Sequence, residues 1–381
     1  MKIISYGRQY IDKNDHIAVK NSLNNDLLTS GPFVKNFEKD LQKQLNSNYI
    51  TTCTSGTSAL QLAFKSIEIK KNDVVVMPIV NFVSASNILF NLGARIYYAD
   101  VDPVSGLMTP KTLNECLKKN KLKRIKLLLT MYLGGNCENN ILFYKIKKKL
   151  KCYLIEDACH ALGTKYRYLN KDYHIGSCKH SDISIFSLHP VKSITTGEGG
   201  FMATNNYKFY KKSILFRSHG IIRGKEHWLY DIKEPGYNYR LSDLNCSLGI
   251  SQLKKLDRFI EKRNQIAKIY FKKIKNIPYI KIPEINEDVQ SAYHLFIIHI
   301  DFLKIKKKKK DLIKFFLRKK IRLQQHYIPI NKFSFYKSKI REKFANSDIY
   351  FKNSISLPIY YSCQKKVIEK IIKNLRDFIK N

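Results

Sequence analysis

The sequence predicts an α/β protein with a large, mainly parallel β-sheet and a smaller α+β unit at its C-terminal end. Short apolar runs rich in β-branched residues alternate with amphipathic helical stretches as far as residue 204. This alternation is typical of a parallel sheet with helices on both faces. From about Asn276 the alternation stops. Because 381 residues are enough for two hydrophobic cores, we expect a large domain over residues 1–262 and a small one over residues 263–381.

Composition limits the class of protein. Hydrophobic residues make up 44% of the chain, as in ordinary globular proteins, and no run approaches the roughly 20 apolar residues of a membrane span. The first residues lack the apolar core of a secretory signal, so we expect a soluble, cytoplasmic protein. In that compartment the eight cysteines are expected to be free thiols. Several cysteines and histidines lie between residues 152 and 180, but their spacing matches no common zinc pattern, and we expect no metal site.

The formal net charge of +38 is large and has three interpretations. It fits nucleic-acid binding, attraction to an anionic membrane, or a surface biased towards lysine. The basic residues are spread over most of the chain and do not alternate with aromatic residues as in a binding module. Compositional bias is the simpler explanation, and a basic surface would also attract an anionic substrate.

The N-terminal region carries two predicted helices separated by a turn. The first helix begins near Asp12, and the second covers residues 34–45 with apolar residues on one face. Residues 27–32 lie between them. Thr29 and Gly31 in this segment indicate, by themselves, only a turn.

Residues 52–60 form the first candidate site. A β-rich run meets small polar residues, and a helix then begins. Free backbone N–H groups at a helix N-terminus bind phosphate through hydrogen bonds and the helix dipole. Ser55, Gly56 and Thr57 therefore indicate either a phosphate cradle or an ordinary Ser/Thr cap.

Three further strands are predicted at residues 73–77, 95–101 and 125–131, followed by a basic helix at residues 141–150. Phe82 lies at the start of the helix after the first of these strands. On the sequence alone, Phe82 is most simply a core residue.

Residues 153–163 form the second candidate site. An apolar strand ends there in two carboxylates, Glu156 and Asp157. Acidic residues at the C-terminal end of a strand in an open α/β sheet face the ligand crevice. His160 follows shortly after and is either part of the same site or a satisfied core histidine.

The third candidate site follows the strand predicted at residues 182–186. The strand ends near Ser187 and the chain turns at Pro190. Lys192 comes next, followed by two threonines and a glycine-rich run that allows close approach of the backbone to a ligand. Lys192 is therefore either a reactive amine or a solvated loop lysine.

The region after residue 204 is predicted to be mostly helical. One helix ends near Arg217 and His219, which are either anion contacts or solvated charges at a helix end. Asn238 lies in a loop and by itself indicates only local backbone bonding. Ser242 then caps a long helix that is predicted to run to about Ile274.

The C-terminal unit is predicted to contain strands at residues 293–299 and 322–326 and helices at residues 311–319 and 364–379. His326 ends the second of these strands. This arrangement indicates a small α+β domain.

The lysine stretch, the Ser-Gly-Thr turn and the strand-end carboxylate together resemble the DegT/DnrJ/EryC1 family of sugar aminotransferases. The likeness runs from Tyr6 to about Leu357. It is greatest to a branch of nucleotide-sugar transaminases in the pseudaminic acid pathway. The resemblance implies a fold-type I enzyme that uses pyridoxal 5′-phosphate (PLP). It also implies a homodimer with shared active sites. From the spread of the basic residues we expect no nucleic-acid partner.

The same resemblance implies a role for each matching residue. The family lysine that holds the cofactor matches Lys192, the carboxylate beneath the pyridine nitrogen matches Asp157, and a histidine near the phenolic oxygen matches His160. An ionised carboxylate is needed because it keeps the ring nitrogen protonated, which makes the cofactor a better electron sink. The other implied cofactor contacts are Ser55, Gly56, Thr57 and Ser187 at the phosphate, Phe82 on the ring, and Asn238 reaching the neighbouring subunit.

The implied reaction is transamination at C4 of a UDP-4-keto-6-deoxy-N-acetylhexosamine with L-glutamate as amino donor. The positions implied to border the substrate are Tyr6, Thr29, Gly31, Arg217, His219 and His326. A different nucleotide keto-sugar stays open as the substrate. A sugar dehydratase of the same fold is disfavoured, because those relatives replace the lysine. The competing class is a basic nucleic-acid-binding protein. Residues 134–136 depart from the family pattern, and no contact is carried over there.

Overall fold

The computed structural model describes residues 3–226 and 228–380, which contain thirteen α-helices, fifteen strands and two short 3₁₀ helices. The helices are α1 (Lys13–Ser22), α2 (Pro32–Leu45), α3 (Gly56–Ser66), α4 (Ser84–Asn91), α5 (Pro110–Lys119), α6 (Asn140–Leu150), α7 (Tyr207–Arg217), α8 (Asp243–Leu253), α9 (Leu256–Ile274), α10 (Lys309–Arg318), α11 (Ser334–Lys337), α12 (Ala345–Asn353) and α13 (Lys365–Lys380). The strands are β1 (Tyr49–Cys53), β2 (Val74–Pro78), β3 (Arg95–Ala99), β4 (Leu127–Met131), β5 (Tyr153–Asp157), β6 (Lys165–Tyr168), β7 (Lys171–His174), β8 (Ile183–Ser187), β9 (Gly200–Thr204), β10 (Ile221–Arg223), β11 (Tyr230–Ile232), β12 (Ile280–Lys281), β13 (Val289–Gln290), β14 (Phe296–Ile300) and β15 (Ser354–Leu357).

Seven strands form the large sheet, in the order β1-β9-β8-β5-β4-β2-β3. Strand β9 is antiparallel to both of its neighbours, and the other adjacent pairs are parallel. The predicted α/β fold on a mainly parallel sheet is therefore confirmed. Because β2, β4, β5 and β8 point the same way, the segments that follow them meet at one edge of the sheet.

Both faces of this sheet are buried. Ile183 and Ile185 on β8 belong to a core shared with α3 and α4. Phe186, the next residue along the strand, belongs to a second core that includes residues of α2 and α9. Successive side chains of a strand point to opposite faces, so one apolar strand supplies both cores.

The smaller sheet, β12-β14-β15, is antiparallel and packs against α9, α10 and α13. Its core is drawn from residues between 266 and 378, close to the predicted domain boundary at residue 262. Ile4 pairs with Ile321 and packs against the same core, so the N-terminal segment also contributes to it. The division into two domains stays a prediction.

The single long helix predicted from Ser242 is wrong, because the chain breaks at Lys255 into α8 and α9. Lys255 has φ −106° and ψ 0°, and its ammonium binds Asp12 at 2.9 Å and Asp15 at 2.7 Å. This ion pair holds the break against the start of α1. At 19 residues α9 is long, yet none of the helices in residues 3–226 and 228–380 is both long and apolar enough to cross a bilayer.

The strand predicted at residues 322–326 is also wrong. Gln324 and Ser356 form an isolated bridge, and the ladder stops there. Two residues further on, the His326 carbonyl accepts a hydrogen bond from the Tyr350 hydroxyl at 2.5 Å. A side chain has therefore taken the place of a strand partner. The two hairpins β6–β7 and β10–β11 were not predicted.

Candidate active site

A cavity of about 520 Å³ lies where the segments after the parallel strands meet residues 324–333 of the C-terminal unit. Its size is in the ordinary range for a small-molecule site. The predicted residues that it brings together are Tyr6, Ser55, Gly56, Thr57, Phe82, Asp157, His160, Ser187, Lys192 and His326. Thr29, Gly31, Arg217, His219 and Asn238 do not line it.

One end of the cavity is the N-terminus of α3. The Ser55 hydroxyl accepts a hydrogen bond from the Ser58 amide at 3.1 Å, so Ser55 caps the helix. The amides of Gly56 and Thr57, in the first turn, have no acceptor within the helix. A Cβ atom at Gly56 would lie 2.9 Å from the Cβ of Ser187 and 3.1 Å from the Sγ of Cys159. Glycine therefore lets the helix end approach β8 closely, and this leaves a cradle for an anion.

Asp157 ends β5 with its side chain in the cavity, and only 3% of the residue is exposed. Its carboxylate accepts a hydrogen bond from the Cys159 amide at 3.2 Å. Burial raises the pKa of Asp157, while this bond and the charge of Lys192 act in the opposite direction. A cationic group placed in the cavity would therefore favour the ionised carboxylate.

Lys192 lies in the turn after β8, and its amine reaches the cavity. Burial lowers the pKa of Lys192, whereas the charges of Cys159 and Asp157 raise it. The turn is braced, because Thr195 donates to the Leu188 carbonyl at 3.0 Å and Asn245 donates to the Thr196 carbonyl at 2.5 Å. A braced turn with a buried amine fits a reactive lysine better than a solvated one.

His160 is held by the turn at residues 133–135. Its Nδ1 accepts a hydrogen bond from the Gly134 amide at 3.3 Å, and its Nε2 lies 3.0 Å from the Tyr327 hydroxyl. Burial and the charges of Lys192 and His326 lower the pKa of His160 well below its usual value. A neutral ring that accepts at Nδ1 carries its proton on Nε2, so it donates to Tyr327. Gly134 has φ +70°, a conformation that favours glycine. The turn at residues 134–136, which departs from the family pattern, thus holds the ring of His160 in place.

Tyr327 is the main site residue that the sequence reasoning missed. It lines the cavity, bonds to His160, and its ring centroid lies 5.7 Å from that of Phe82. An aromatic residue directly after His326 was the only signal for it. Phe82 is 50% exposed within the cavity, so it is not the core residue that its sequence context indicated.

Arg217 lies away from the cavity in an internal ion pair. Its Nη1 is 2.7 Å from Glu38 Oε1 and donates to the Thr52 carbonyl at 2.9 Å. Arg217 is therefore neither a solvated charge nor a cavity residue in this chain, and it braces the strand that leads to α3. Its predicted substrate contact stays a prediction.

Of the remaining predicted residues, three lie on the surface and Gly31 is buried. Thr29, His219 and Asn238 are exposed, and Asn238 forms a bridge with Ser218. The amide of Gly31 donates to the buried carboxylate of Asp243 at 2.8 Å, which fixes the turn before α2. Their roles at a site shared between subunits stay predictions.

The residues of the cavity fit PLP. The α3 cradle suits a phosphate, the buried Asp157 carboxylate suits a protonated ring nitrogen, and the half-exposed Phe82 offers a flat apolar surface to a ring. A lysine amine reaches the same space. Fold and cavity together define a PLP-dependent aminotransferase of fold type I.

Comparison with known proteins identifies the family. The DegT/DnrJ/EryC1/StrS aminotransferase family model matches residues 9–376, and the chain belongs to this family, whose aminotransferases depend on PLP. A UDP-4-amino-4,6-dideoxy-N-acetyl-beta-L-altrosamine transaminase from Campylobacter jejuni is 36% identical, over 98% of this chain and 96% of its own length. A Helicobacter pylori transaminase of the same name is 30% identical, over 97% of this chain and 96% of its own.

A solved structure agrees with these relatives. Helicobacter pylori PseC, an aminotransferase involved in the biosynthesis of pseudoaminic acid, superposes with a TM-score of 0.91. It is 27% identical, and the match covers 100% of both chains. The predicted family and fold are therefore confirmed.

Proposed function

We propose that this chain transfers the amino group of L-glutamate to C4 of a UDP-4-keto-6-deoxy-N-acetylhexosamine, as a step of pseudaminic acid biosynthesis. The observation that carries the proposal is the single cavity in which the Lys192 amine, the Asp157 carboxylate and the N-terminus of α3 meet. The names of the relatives at 36% and 30% identity support the substrate class.

When bound, PLP supplies an electron sink that stabilises negative charge at the carbon bearing the transferred amine. The amides of the α3 end and the Ser187 hydroxyl would hold its phosphate. Phe82 would pack on its ring, and Asp157 would keep the proton on its pyridine nitrogen. The cation on that nitrogen offsets the burial that otherwise raises the pKa of Asp157.

Lys192 has two tasks in this proposal. Its amine holds the cofactor, and once released it carries a proton to and from the substrate carbon. A base that works near neutral pH needs a lowered pKa if it is an amine, and burial lowers the pKa of Lys192. His160 has an orienting role and does not transfer a proton, because the Gly134 amide and the Tyr327 hydroxyl occupy both nitrogens of its neutral ring.

We also propose that the active site is completed in a homodimer. Asn238, Thr29 and His219 lie outside the cavity of their own chain and are exposed, as residues that serve a neighbouring subunit would be. The nearby β10–β11 hairpin exposes Trp228 by 62% and Tyr230 by 64%, which is unusual for a surface that faces water.

We place the reaction in the cytoplasm, and free thiols support this. All eight cysteines are unpaired, and seven of them are buried. Proteins of oxidising compartments tend instead to pair their cysteines.

The test offers the PLP-loaded enzyme and L-glutamate a pair of C5-epimeric UDP-4-keto-6-deoxy-N-acetylhexosamines, with the products identified by NMR. Preference for the L-arabino epimer is the expected result. Preference for the D-xylo epimer would reassign the enzyme to a bacillosamine-type route. Turnover of neither epimer, with PLP bound and reacting with glutamate, would reject the UDP-keto-sugar substrate.

A further inference from the structure

A partly buried network of hydrogen bonds lies behind the part of the cavity lining that the C-terminal unit contributes. Lys309, the first residue of α10, is half-buried, whereas its neighbours Lys308 and Lys310 are exposed. Its ammonium donates to Gln325 Oε1, to the Phe351 carbonyl, and to the Ser354 carbonyl at 3.0 Å. Lys307, in the same run of five lysines, is also half-buried and donates to the Phe378 carbonyl, but Lys309 has three acceptors, one for each proton of its ammonium.

These acceptors join three parts of the fold. Phe351 and Ser354 lie at the C-terminal end of α12, where carbonyl groups lack helical partners and favour a cation. Gln325 lines the cavity. Burial lowers the pKa of Lys309 to about 7, as expected of an amine that has exchanged water for protein acceptors.

Gln325 and the two residues after it are each held by a side-chain hydrogen bond. The Gln325 amide nitrogen donates to the Ser354 hydroxyl at 2.9 Å, so both ends of this side chain are held. His326 Nδ1 lies 2.8 Å from the Ser356 hydroxyl, and Tyr327 bonds to His160. The positions of Gln325 and His326 therefore depend on side chains outside the cavity, and Tyr327 is held from within it.

We propose that Lys309 is a positioning residue that holds the Gln325–Tyr327 wall in place and thereby sets how the cavity receives the nucleotide sugar. This inference rests on the proposed function for the identity of the ligand. A nucleotide sugar is far larger than glutamate, so displacement of a wall affects its binding more than it affects the amino donor.

The experiment compares K309M with K310M in the PLP-loaded enzyme. Methionine keeps an unbranched apolar stem and removes the ammonium, and Lys310 is the exposed neighbour on the same helix. Three readouts are taken: hydrogen exchange at residues 324–328, the rate of the half-reaction with L-glutamate from cofactor absorbance, and KM and kcat for the UDP-keto-sugar. If K309M does not fold, Q325L removes the acceptor instead of the donor; because Gln325 itself lines the cavity, this variant is read by hydrogen exchange at residues 326–328 and not by KM.

In K309M we expect faster exchange at residues 324–328, unchanged exchange in β5 and β8, and a KM for the sugar raised by about tenfold. The glutamate half-reaction should stay within about twofold of the wild type, K310M should match the wild type, and K309R should restore part of the loss.

The inference is overturned if K309M behaves like K310M, or if both half-reactions fall together while exchange rises throughout the protein. Failure of the proposed function looks different. The wild type would then not turn over the UDP-keto-sugar, while the local exchange change in K309M would still support the positioning role.

Discussion

Glu156 and Asp157 are adjacent at the end of β5, yet they lie in two different regions of the molecule. Asp157 faces the cavity, near the Lys192 amine. Glu156 faces the opposite side of the sheet, where Tyr132 donates to it at 2.7 Å and Ser184 at 2.5 Å. Burial raises the pKa of both carboxyls; hydrogen bonds from Cys159 and then the charge of Lys192 lower that of Asp157, whereas hydroxyl groups lower that of Glu156.

The difference shows that strand alternation, more than residue type, decides which carboxyl can serve the cofactor. Consecutive side chains point to opposite faces, and only one of the two faces opens to a ligand. Glu156 instead ties β5 to β8 and to the segment after β4, which keeps the sheet edge in place. Asp157, on the cavity side, is thus the carboxyl that can take part in chemistry, and Glu156, on the far side, has a structural role.

The largest loss of turnover is expected from K192A, which changes a side chain that lines the cavity. Removing the amine takes away both the attachment point of the cofactor and the proton carrier, so we expect turnover of the keto-sugar to fall by about 10⁴-fold or more. Turnover is measured with saturating L-glutamate and PLP. K179A, at an exposed lysine before β8, is the matched control and should keep wild-type activity. A K192A enzyme with wild-type turnover would reject the assignment of Lys192.

Substituting each carboxyl in turn compares the two directly, with a smaller expected loss of kcat than in K192A. D157N keeps the size of the side chain and removes the charge that stabilises a protonated ring nitrogen, so we expect kcat to fall by about a hundredfold. E156Q makes the same chemical change one residue away, on the far side of the strand, and should leave kcat near that of the wild type. Both are measured by steady-state kinetics, with bound PLP checked by absorbance. Equal losses in the two variants would contradict the division of roles.

The cofactor side could be predicted from sequence because its signals are local. The α3 cap, the carboxylates at the end of β5 and the lysine turn each lie within a few residues of a strand or helix end. The rule for acidic residues at a strand end applied equally to Glu156 and Asp157, and the family resemblance was needed to choose Asp157. The predicted role of each of these residues still awaits mutation.

The features that could not be predicted from the sequence depend on contacts between residues that are far apart in the chain. The sequence indicated an anion contact or a solvated charge for Arg217, and the ion pair was missed because its partner Glu38 is 179 residues away. Tyr327 and His160 are separated by 167 residues, and the break between α8 and α9 follows from Lys255 binding Asp12, 243 residues away. No periodicity or local motif encodes such pairs, because their members come together only through the tertiary fold.

The smallest effect is expected from E156Q, on the far side of the sheet from the cavity, as a change in how stability depends on pH. Burial raises the pKa of Glu156 above its ordinary 4.5, so the folded protein binds more protons than the unfolded chain from about that pH up to the raised value. In this window wild-type stability falls as pH rises, by up to about 1.4 kcal/mol per pH unit from this group. Glutamine cannot ionise. The stability of E156Q relative to the wild type should therefore be constant below pH 4.5 and improve as pH rises above it.

Denaturant unfolding of both proteins across this range, at constant ionic strength, measures that difference. E115Q, at an exposed glutamate of α5, controls for the loss of one negative charge. If the E156Q difference does not change with pH, Glu156 is already ionised in the folded protein. The two carboxyls of β5 would then differ in their neighbours alone and not in their charge, and the far side of the strand would have to stabilise a buried anion with the hydroxyl groups of Tyr132 and Ser184.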